Sequence, residues 1–320
     1  MTPASVLDAL IEVPIIPSFT RIGYEARRRL EGWTPLDDYD LAGRVILLTG
    51  ATSGIGKAAA AQLARSGAQL LLVGRTSEKN ETVVDELRAA SGNDAISSFP
   101  ADMGDYDQVR ALAAHALATH ARIDTLVHNA GALSAERRLA PDGTEATVAS
   151  QVVGPFLLTQ LLLERLQQSA PARVITMSSG GMYSAPLSVR GLEMDERSYK
   201  GADQYARAKR AQVALTEMWA DAHSASGVHF HSLHPGWADT PGVEEALPGF
   251  RKIVGPLLRD PVAGADTLGW LIADDAALQS NGKFWHDRRI RSTHKLPHTR
   301  KSDTADRRAR LWDYVEAKLA

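Results

Sequence analysis

The strongest constraint on the fold is the segment Thr49-Gly-Ala-Thr-Ser-Gly-Ile-Gly56, which lies between an apolar run and an alanine-rich segment, Lys57–Ser66. This order predicts a strand, a glycine turn and a helix. Gly50, Gly54 and Gly56 let the backbone turn tightly and approach a phosphate, while the first N–H groups of the helix face its negative charge. The spacing differs from the Gly-x-Gly-x-x-Gly dinucleotide fingerprint. The segment predicts a pyrophosphate-binding turn.

Strands that alternate with helical segments predict an α/β fold. Short β-branched or leucine-rich runs recur between helical patterns, which indicates a parallel sheet covered on both faces. The predicted strands are Arg44–Thr49, Gln69–Val73, Ala95–Phe99, Asp124–His128, Arg173–Met177, Val228–Leu233 and Gly282–Trp285. Long helices are predicted at Thr144–Gln168 and Asp203–Ala225. We expect one doubly wound parallel β-sheet of about seven strands in a single domain.

Composition narrows the classes of partner. The chain has 320 residues, 44% of them hydrophobic, so it can bury one large core. A net charge of −2 gives no broad positive surface, and we expect no nucleic-acid partner. The absence of cysteine excludes disulfides, thiolate nucleophiles and cysteine-bound zinc. His286, His294 and His298 lack the spacing of metal ligands, so we expect no metal site.

Tyr205 and Lys209 lie four residues apart in the second long helix, so both project from one face within about one turn. A phenol with an ordinary pKa of about 10 exchanges protons poorly at neutral pH, and a neighbouring ammonium favours its phenolate. Such pairs are also common on solvated helices. In combination with the glycine turn, the pair predicts a tyrosine acid.

Four separated motifs resemble the short-chain dehydrogenase/reductase family, from about Leu41 to about Leu296. They are the glycine turn, the Tyr205/Lys209 pair, His128-Asn-Ala-Gly131 and Pro235-Gly-Trp-Ala-Asp-Thr240. Within the family, the segments 178–182 and 234–243 most resemble a poorly characterised branch that also carries an N-terminal extension. The resemblance implies a Rossmann-type fold and hydride transfer between a nicotinamide cofactor and a carbonyl or alcohol.

The same resemblance implies roles for the catalytic residues. Tyr205 would exchange a proton with the substrate oxygen, Lys209 would lower the tyrosine pKa and bind the nicotinamide ribose, and Ser179 would hold the substrate oxygen. Ser178 is the alternative, and either serine could instead cap a turn. Gln151 stands where the family has an Asn that supports a water-linked proton path to the lysine. Its amide is one methylene further out, and we expect Gln151 to substitute; the alternative is that the relay is rerouted and activity is reduced.

A cofactor-binding set is implied in the same way. Asn129 and Gly131 would lie beside the adenosine ribose, Asp102 would contact the adenine, and Thr240 would contact the nicotinamide carboxamide. Asp102 and Thr240 could instead cap the helices that follow them. His128 is interpreted as a structural residue. The full set is Gly50, Thr52, Ser53, Gly54, Ile55, Gly56, Lys57, Arg75, Asp102, Met103, Asn129, Ala130, Gly131, Tyr205, Lys209, Pro235, Gly236 and Thr240.

Two cations indicate which dinucleotide is bound. A ribose 2′-hydroxyl is usually held by an acid at the end of the second strand, whereas a 2′-phosphate needs cations. Here that strand ends Val73-Gly-Arg75, and Lys57 follows the last loop glycine. Arg75 offers a fork for phosphate and Lys57 a point charge. We expect NADP(H) in preference to NAD(H), with ordinary surface cations as the alternative.

Two long loops, one after Ser179 through Lys200 and one from Trp237 to about Leu258, are expected to form the substrate pocket. Their apolar residues are Met182, Tyr183, Leu187, Trp237, Val243, Leu247 and Phe250. They predict a lipophilic small-molecule carbonyl or alcohol, such as a retinoid, steroid or fatty aldehyde, unless they seal the fold. A catalytically weak or inactive NADPH-binding regulatory module is the alternative function. The resemblance also implies a homodimer.

The chain ends are expected to lie outside the catalytic domain. Residues 1–42 are predicted as an N-terminal extension, 43–297 as the domain, and 298–320 as a charged, partly mobile tail with a short helix. The extension is expected to pack along the domain edge or at a subunit contact; its arginines and Trp33 could instead contact an anionic membrane. We find no basic leader and no run of roughly 18 apolar residues, and we expect a cytoplasmic protein.

Overall fold

One β-sheet forms the centre of the molecule, with the alternation of strands and helices that the sequence predicts. The computed structural model describes residues 3–12, 15–246 and 248–320. Within these residues, eight strands pair in the order β3-β2-β1-β4-β5-β6-β7-β8. They are β1 Val45–Thr49, β2 Gln69–Gly74, β3 Ile96–Pro100, β4 Thr125–His128, β5 Ala172–Met177, β6 Val228–Leu233, β7 Lys283–His286 and β8 Arg289–Ile290. The first seven are parallel and β8 is antiparallel to β7, so the predicted doubly wound α/β sheet is confirmed.

Helices cover both faces of this sheet. They are α1 Pro3–Glu12, α2 Ile15–Phe19, α3 Arg21–Glu31, α4 Gly54–Arg65, α5 Ser77–Ser91, α6 Tyr106–Thr119, α7 Ala146–Val148, α8 Gly154–Gln168, α9 Gly201–Ala222, α10 Pro241–Ala246, α11 Pro248–Val254, α12 Pro261–Ala273, α13 Pro297–Ser302 and α14 Ala305–Leu319. Residues Ala149–Val153 continue from α7 to α8 as a π-helix. Short 3₁₀ turns lie at Leu36–Asp38 and Gly180–Tyr183.

Side-chain alternation along the strands divides the interior into two cores. In β1, Leu47 points to the core formed with α6, α8, α9 and α14, whereas Ile46 and Leu48 point to the core formed with α4, α5 and α12. This is the period of two that a strand imposes on a sheet buried on both faces. The carboxyl ends of β1 and β4 lie side by side where the strand order reverses, which is where an open α/β sheet binds ligands.

The helical stretch Ala146–Gln168 differs from the expectation that no segment is long and apolar enough to cross a membrane. By length and composition it is apolar enough to cross a membrane, so the expectation that no segment qualifies is wrong. Its most apolar window is 72% buried inside the molecule. The stretch packs against α6, α9 and the sheet, and a helix covered on most sides is apolar on most sides.

The C-terminal segment is packed on the domain and is not the partly mobile tail that we expected. Leu311 and Val315 of α14 are fully buried in the core that contains α8 and α9. Trp312 adds ring contacts, with centroid distances of 4.8 Å to Phe156 and 5.0 Å to Trp219. The helix therefore supplies one wall of that core.

The N-terminal helices pack at the β7–β8 end of the sheet. Arg27, at the inner face of α3, is 0% exposed and forms ion pairs with Asp8 (2.8 Å) and Asp287 (2.6 Å). Trp33 lies under the Arg288 guanidinium at 4.8 Å from its ring centroid. Arg27 is therefore not available to a membrane-contacting surface, whereas Trp33 is half-buried.

Candidate active site

A glycine cradle lies at the carboxyl end of β1. Gly50 and Gly54 have φ values of +67° and +51°, in the left-handed region that favours glycine. A Cβ at Gly50 would lie 2.7 Å from Ala130 Cα, and one at Gly56 would lie 2.1 Å from the Gly50 carbonyl oxygen. Ser53 forms no side-chain cap on α4, so the first N–H groups of that helix remain for an anion. The cradle therefore fits the pyrophosphate of a dinucleotide.

The β1 and β4 ends are held together by Asn129. Its Nδ2 donates to the carbonyl oxygens of Thr49 and Gly50 at 3.0 and 3.1 Å. The Thr49 hydroxyl in turn accepts from the backbone N–H of Ala130 at 3.1 Å. Asn129, Ala130 and the glycine turn thus form one rigid corner, beside which a ribose is predicted to bind.

The two cations expected at the ribose phosphate differ in their surroundings. Arg75 follows β2, is exposed, and forms no ion pair with any described residue. Lys57 forms an ion pair with Glu86 of α5. The end of β2 lies against the glycine turn: a Cβ at Gly74, the residue before Arg75, would lie 2.6 Å from Thr52 Cγ2. Of the two cations, Lys57 is therefore the one that is already paired with an acid.

Asp102 does not cap the helix that follows it. Its Oδ1 accepts from the Gly104 N–H at 2.8 Å, whereas Asp105 caps α6 by accepting from Asp107 and Gln108 at 3.1 and 3.2 Å. The alternative that Asp102 is the cap is wrong, because the residue at the N-cap position takes those bonds. Met103 beside it is buried.

Ser179, Tyr205 and Lys209 meet above this cradle. Lys209 Nζ lies 5.2 Å from the Tyr205 ring centroid and donates to the Met177 carbonyl oxygen at 2.9 Å. Ser179 lies beside the Tyr205 hydroxyl, close enough to act on its pKa. Ser178 is buried and donates to the Lys209 carbonyl oxygen at 3.1 Å. Of the two serines, Ser179 is the one beside the tyrosine, and it also caps the turn Gly180–Tyr183.

Burial controls the protonation of this pair. Burial raises the pKa of Tyr205 to about 12, and Ser179 acts in the opposite direction. Burial lowers the pKa of Lys209 to about 7. Loss of water opposes the charge of both groups, and the role of Lys209 in lowering the pKa of Tyr205 stays a prediction.

Gln151 lies in the π-helix, close to the lysine. Its Nε2 donates to the Ala132 carbonyl oxygen at 2.7 Å, and its Oε1 has no hydrogen-bond partner among the described residues. A Cβ at Gly131 would lie 3.0 Å from that oxygen and 3.2 Å from Lys209 Nζ, so Gly131 lies in close contact with both side chains. The backbone carbonyl of Gln151 accepts from Gln212 Nε2 at 2.6 Å. π-helices often mark functional sites.

The loop that begins at Pro235 closes over the glycine turn. Gly236 has φ +78°, and a Cβ there would lie 2.2 Å from Arg259 Nε. Thr240 lies over the turn, since a Cβ at Gly54 would be 3.2 Å from Thr240 Cγ2. Ile55 packs beside Gly264 of α12 in the same way, at 3.3 Å from such a Cβ. Thr240 is therefore near the predicted cofactor.

Three of the seven apolar residues expected in the substrate pocket lie in the hydrophobic cores instead. Met182, Tyr183 and Leu187 are buried in the hydrophobic cores, so they seal the fold. The side chains of Val243 and Phe250, and all of Leu247, lie outside the described residues. Trp237 is partly buried and packs on Phe19, with ring centroids 5.8 Å apart. The lipophilic prediction therefore loses the support of Met182, Tyr183 and Leu187.

Sequence reasoning missed His234 as a contact of the serine turn, because a histidine before Pro-Gly carries no local signal for a bond to another loop. Its Nδ1 accepts from the Gly180 N–H at 3.1 Å.

His128 has the structural character that we expected from the sequence. It is buried, its Nε2 lies 2.8 Å from Thr159 Oγ1, and burial lowers its pKa to about 3.

Comparison with known proteins agrees with this geometry. The family model described as short chain dehydrogenase matches residues 44–249. Human dehydrogenase/reductase SDR family member 12 is 38% identical over 300 residues, which cover 93% of each chain. Retinol dehydrogenase 12 of Bos taurus is 30% identical over 310 residues, covering 95% of this chain and 96% of that protein.

A solved structure shares the fold. A protein of Escherichia coli CFT073, assigned as a short chain dehydrogenase and solved in complex with NADPH, is 26% identical with a TM-score of 0.65. The alignment covers 80% of this chain and all of that one. The similarity to the human member 12 confirms the branch that the segments 178–182 and 234–243 predicted. The chain belongs to the short chain dehydrogenase family.

Proposed function

We propose that this protein is an NADP(H)-dependent oxidoreductase that interconverts a lipophilic carbonyl compound and its alcohol. The observation that carries the proposal is the contact of Tyr205 with Lys209 and Ser179 above the glycine cradle. These groups provide a proton donor, a cation and a hydroxyl around one point, next to a surface that fits a dinucleotide. This is the arrangement that carbonyl reduction requires.

The bound cofactor would supply the hydride to the carbonyl carbon. Tyr205 would donate its phenolic proton to the carbonyl oxygen, so that the carbonyl and the two transferred hydrogens give the alcohol. A pKa of about 12 keeps the phenol protonated at neutral pH, and the protonated form is the one that can donate. Ser179 would hold the substrate oxygen by a hydrogen bond, and Lys209 and Gln151 would return a proton to the tyrosine.

The substrate class draws its support from relatives. Retinol dehydrogenases 11 and 12 are 29–34% identical to this chain, and their names point to a retinoid. A retinoid, steroid or long aldehyde is apolar around a single reactive oxygen, which suits a site with one cluster of polar groups.

Steady-state turnover tests the proposal. NADPH oxidation is measured with all-trans-retinal, a 3-ketosteroid and decanal, for wild type and for Tyr205→Phe, with NADPH binding followed by calorimetry. We expect turnover in wild type and its loss in Tyr205→Phe, with unchanged NADPH affinity because the phenyl ring remains. Equal rates in both proteins would contradict the assignment of Tyr205. Tight NADPH binding without wild-type turnover would favour the cofactor-binding regulatory module.

Cofactor preference is tested at Arg75. We expect Arg75→Ala to weaken NADPH binding about tenfold, the loss of one charge-assisted hydrogen bond of about 1.5 kcal/mol, and to leave NADH binding unchanged. Lys57→Ala is the matched control, since Lys57 is paired with Glu86. Tighter binding of NADH than of NADPH by wild type would overturn the preference.

A further inference from the structure

The N-terminal extension reaches the catalytic serine turn through Phe19. This residue ends α2 and is 3% exposed. Its ring meets the His234 ring edge to face, with centroids 4.4 Å apart and an interplanar angle of 82°. It also touches Gly180, where a Cβ would lie 2.9 Å from Phe19 Cε2. A residue far outside the family core therefore contacts the backbone next to Ser179.

His234 transmits this contact to the turn. Its Nδ1 accepts from the Gly180 N–H at 3.1 Å, and its Nε2 has no hydrogen-bond partner among the described residues. The orientation of the ring thus depends on one hydrogen bond and on packing against Phe19 and against His286, whose ring centroid is 5.0 Å away. Because Nδ1 is the acceptor, the imidazole is neutral, and its burial favours that form.

The backbone of the extension also holds the loop that begins at Pro235. The Phe19 carbonyl oxygen accepts from the Trp237 N–H at 2.7 Å and from Arg259 Nε at 3.2 Å. Arg259 donates in addition to the Ser18 carbonyl oxygen at 3.1 Å and is paired with the buried Asp287. The bonds to the extension use only its backbone atoms, so we expect them to persist when the Phe19 side chain is changed.

We propose that Phe19 and His234 are positioning residues for Ser179: Phe19 fixes the His234 ring, and His234 fixes the Gly180 N–H and with it the serine hydroxyl. This inference rests on the proposed function. A mutation away from the reacting atoms that displaces a catalytic group by about 1 Å can reduce the rate about 100-fold. The packing of the Phe19 ring, two contacts away from Ser179, can therefore affect turnover. The extension is then part of the active-site scaffold.

The first test separates positioning from cofactor binding. In Phe19→Ala we expect kcat for all-trans-retinal or decanal to fall about 10- to 100-fold, because the serine turn loses its support. NADPH affinity should be unchanged, since the backbone bonds to Trp237 and Arg259 remain. Ile22→Ala, an exposed position of the same extension at 54% exposure, is the control and should match wild type. Wild-type kcat in Phe19→Ala would overturn the proposal.

The second test uses the acceptor atom of His234 and does not depend on the folding of Phe19→Ala. In His234→Asn the Oδ1 atom lies close to the position of Nδ1 and can accept from Gly180, whereas His234→Leu has no acceptor. We expect His234→Asn to retain most of the kcat that His234→Leu loses. Equal kcat values in the two variants would contradict positioning through this hydrogen bond.

Hydrogen exchange at the Gly180 amide provides a readout without turnover. We expect faster exchange in Phe19→Ala and His234→Leu than in wild type, and wild-type exchange in Ile22→Ala. If wild type lacks turnover with every carbonyl compound, the proposed function fails. In that case faster exchange still supports the contact from Phe19 to the serine turn, and unchanged exchange overturns it.

Discussion

Burial of Lys209 disfavours its positive charge, which is the charge that its proposed role uses. Its side chain is 2% exposed, and its Nζ makes one hydrogen bond, to the Met177 carbonyl oxygen at 2.9 Å. Burial lowers its pKa to about 7, so the group changes charge near neutral pH. A cation that can lose its proton at this pH is suited to passing protons towards Tyr205.

A stability measurement tests this shift. The pKa of Lys209 is about 7 in the folded protein and that of an unfolded lysine is about 10.4, so between these values the unfolded chain binds more protons and the free energy of unfolding rises with pH. We expect Lys209→Met to reduce the rise between pH 7 and pH 10 by about 2–4 kcal/mol in urea denaturation without cofactor. Lys79→Met, at an exposed lysine, should keep the wild-type slope. Identical slopes in wild type and Lys209→Met would contradict the shift.

At the scale of single elements, α14 shows how a charged segment can be part of a core. It carries buried Leu311 and Val315 on one face and exposed charges such as Arg310 on the other. The buried face meets Phe156 of α8 and Trp219 of α9 through Trp312. The helices that carry Gln151 and Tyr205 are thus supported from outside the family core.

We expect Leu311→Ala to lower the free energy of unfolding by about 2–5 kcal/mol, the cost of a buried leucine truncated to alanine. Arg310→Ala on the exposed face should change it by less than about 0.5 kcal/mol. Urea denaturation followed by circular dichroism measures both. A small effect of Leu311→Ala would mean that α14 is not part of the cooperative unit.

At the scale of the whole molecule, a buried charge cluster joins the N-terminal extension to the turn between β7 and β8. Asp287 is 0% exposed and lies in the turn between β7 and β8 with φ +52°. It is paired with Arg27 of the extension at 2.6 Å and with Arg259 at 2.5 Å. Burial alone would raise the pKa of Asp287, but the two guanidinium groups hold it well below its usual range. Its carboxylate therefore fixes the extension against the last strands.

We expect Asp287→Asn to lower the free energy of unfolding at pH 7 by about 3–5 kcal/mol, because Arg27 and Arg259 each lose a buried ion pair, although Arg27 stays paired with Asp8. Asparagine tolerates a positive φ, so backbone strain does not explain the loss. The effect should shrink as pH falls towards the folded-state pKa of Asp287, since wild type then loses the same charge. Asp85→Asn, at an exposed position, serves as the control. Equal stability of Asp287→Asn and wild type would show that the ion pairs contribute nothing net.

The sequence by itself determined the sheet and the position of the cofactor turn, because both depend on local patterns. Seven apolar runs predicted the parallel strands within one or two residues, and the glycines of Thr49–Gly56 predicted the cradle, since only glycine permits that backbone approach. The helical spacing of Tyr205 and Lys209 predicted their contact.

Only the tertiary structure decided contacts between residues that are distant in the chain. It distinguished Ser179 from Ser178, paired Lys57 with Glu86, and brought Phe19 to His234. It also set the pKa of Tyr205 and Lys209, because burial depends on everything packed around a group and not on its neighbours in sequence. The apolar residues after Ser179 predicted a pocket and instead became core, since hydropathy alone does not distinguish a wall that faces ligand from one that faces other side chains.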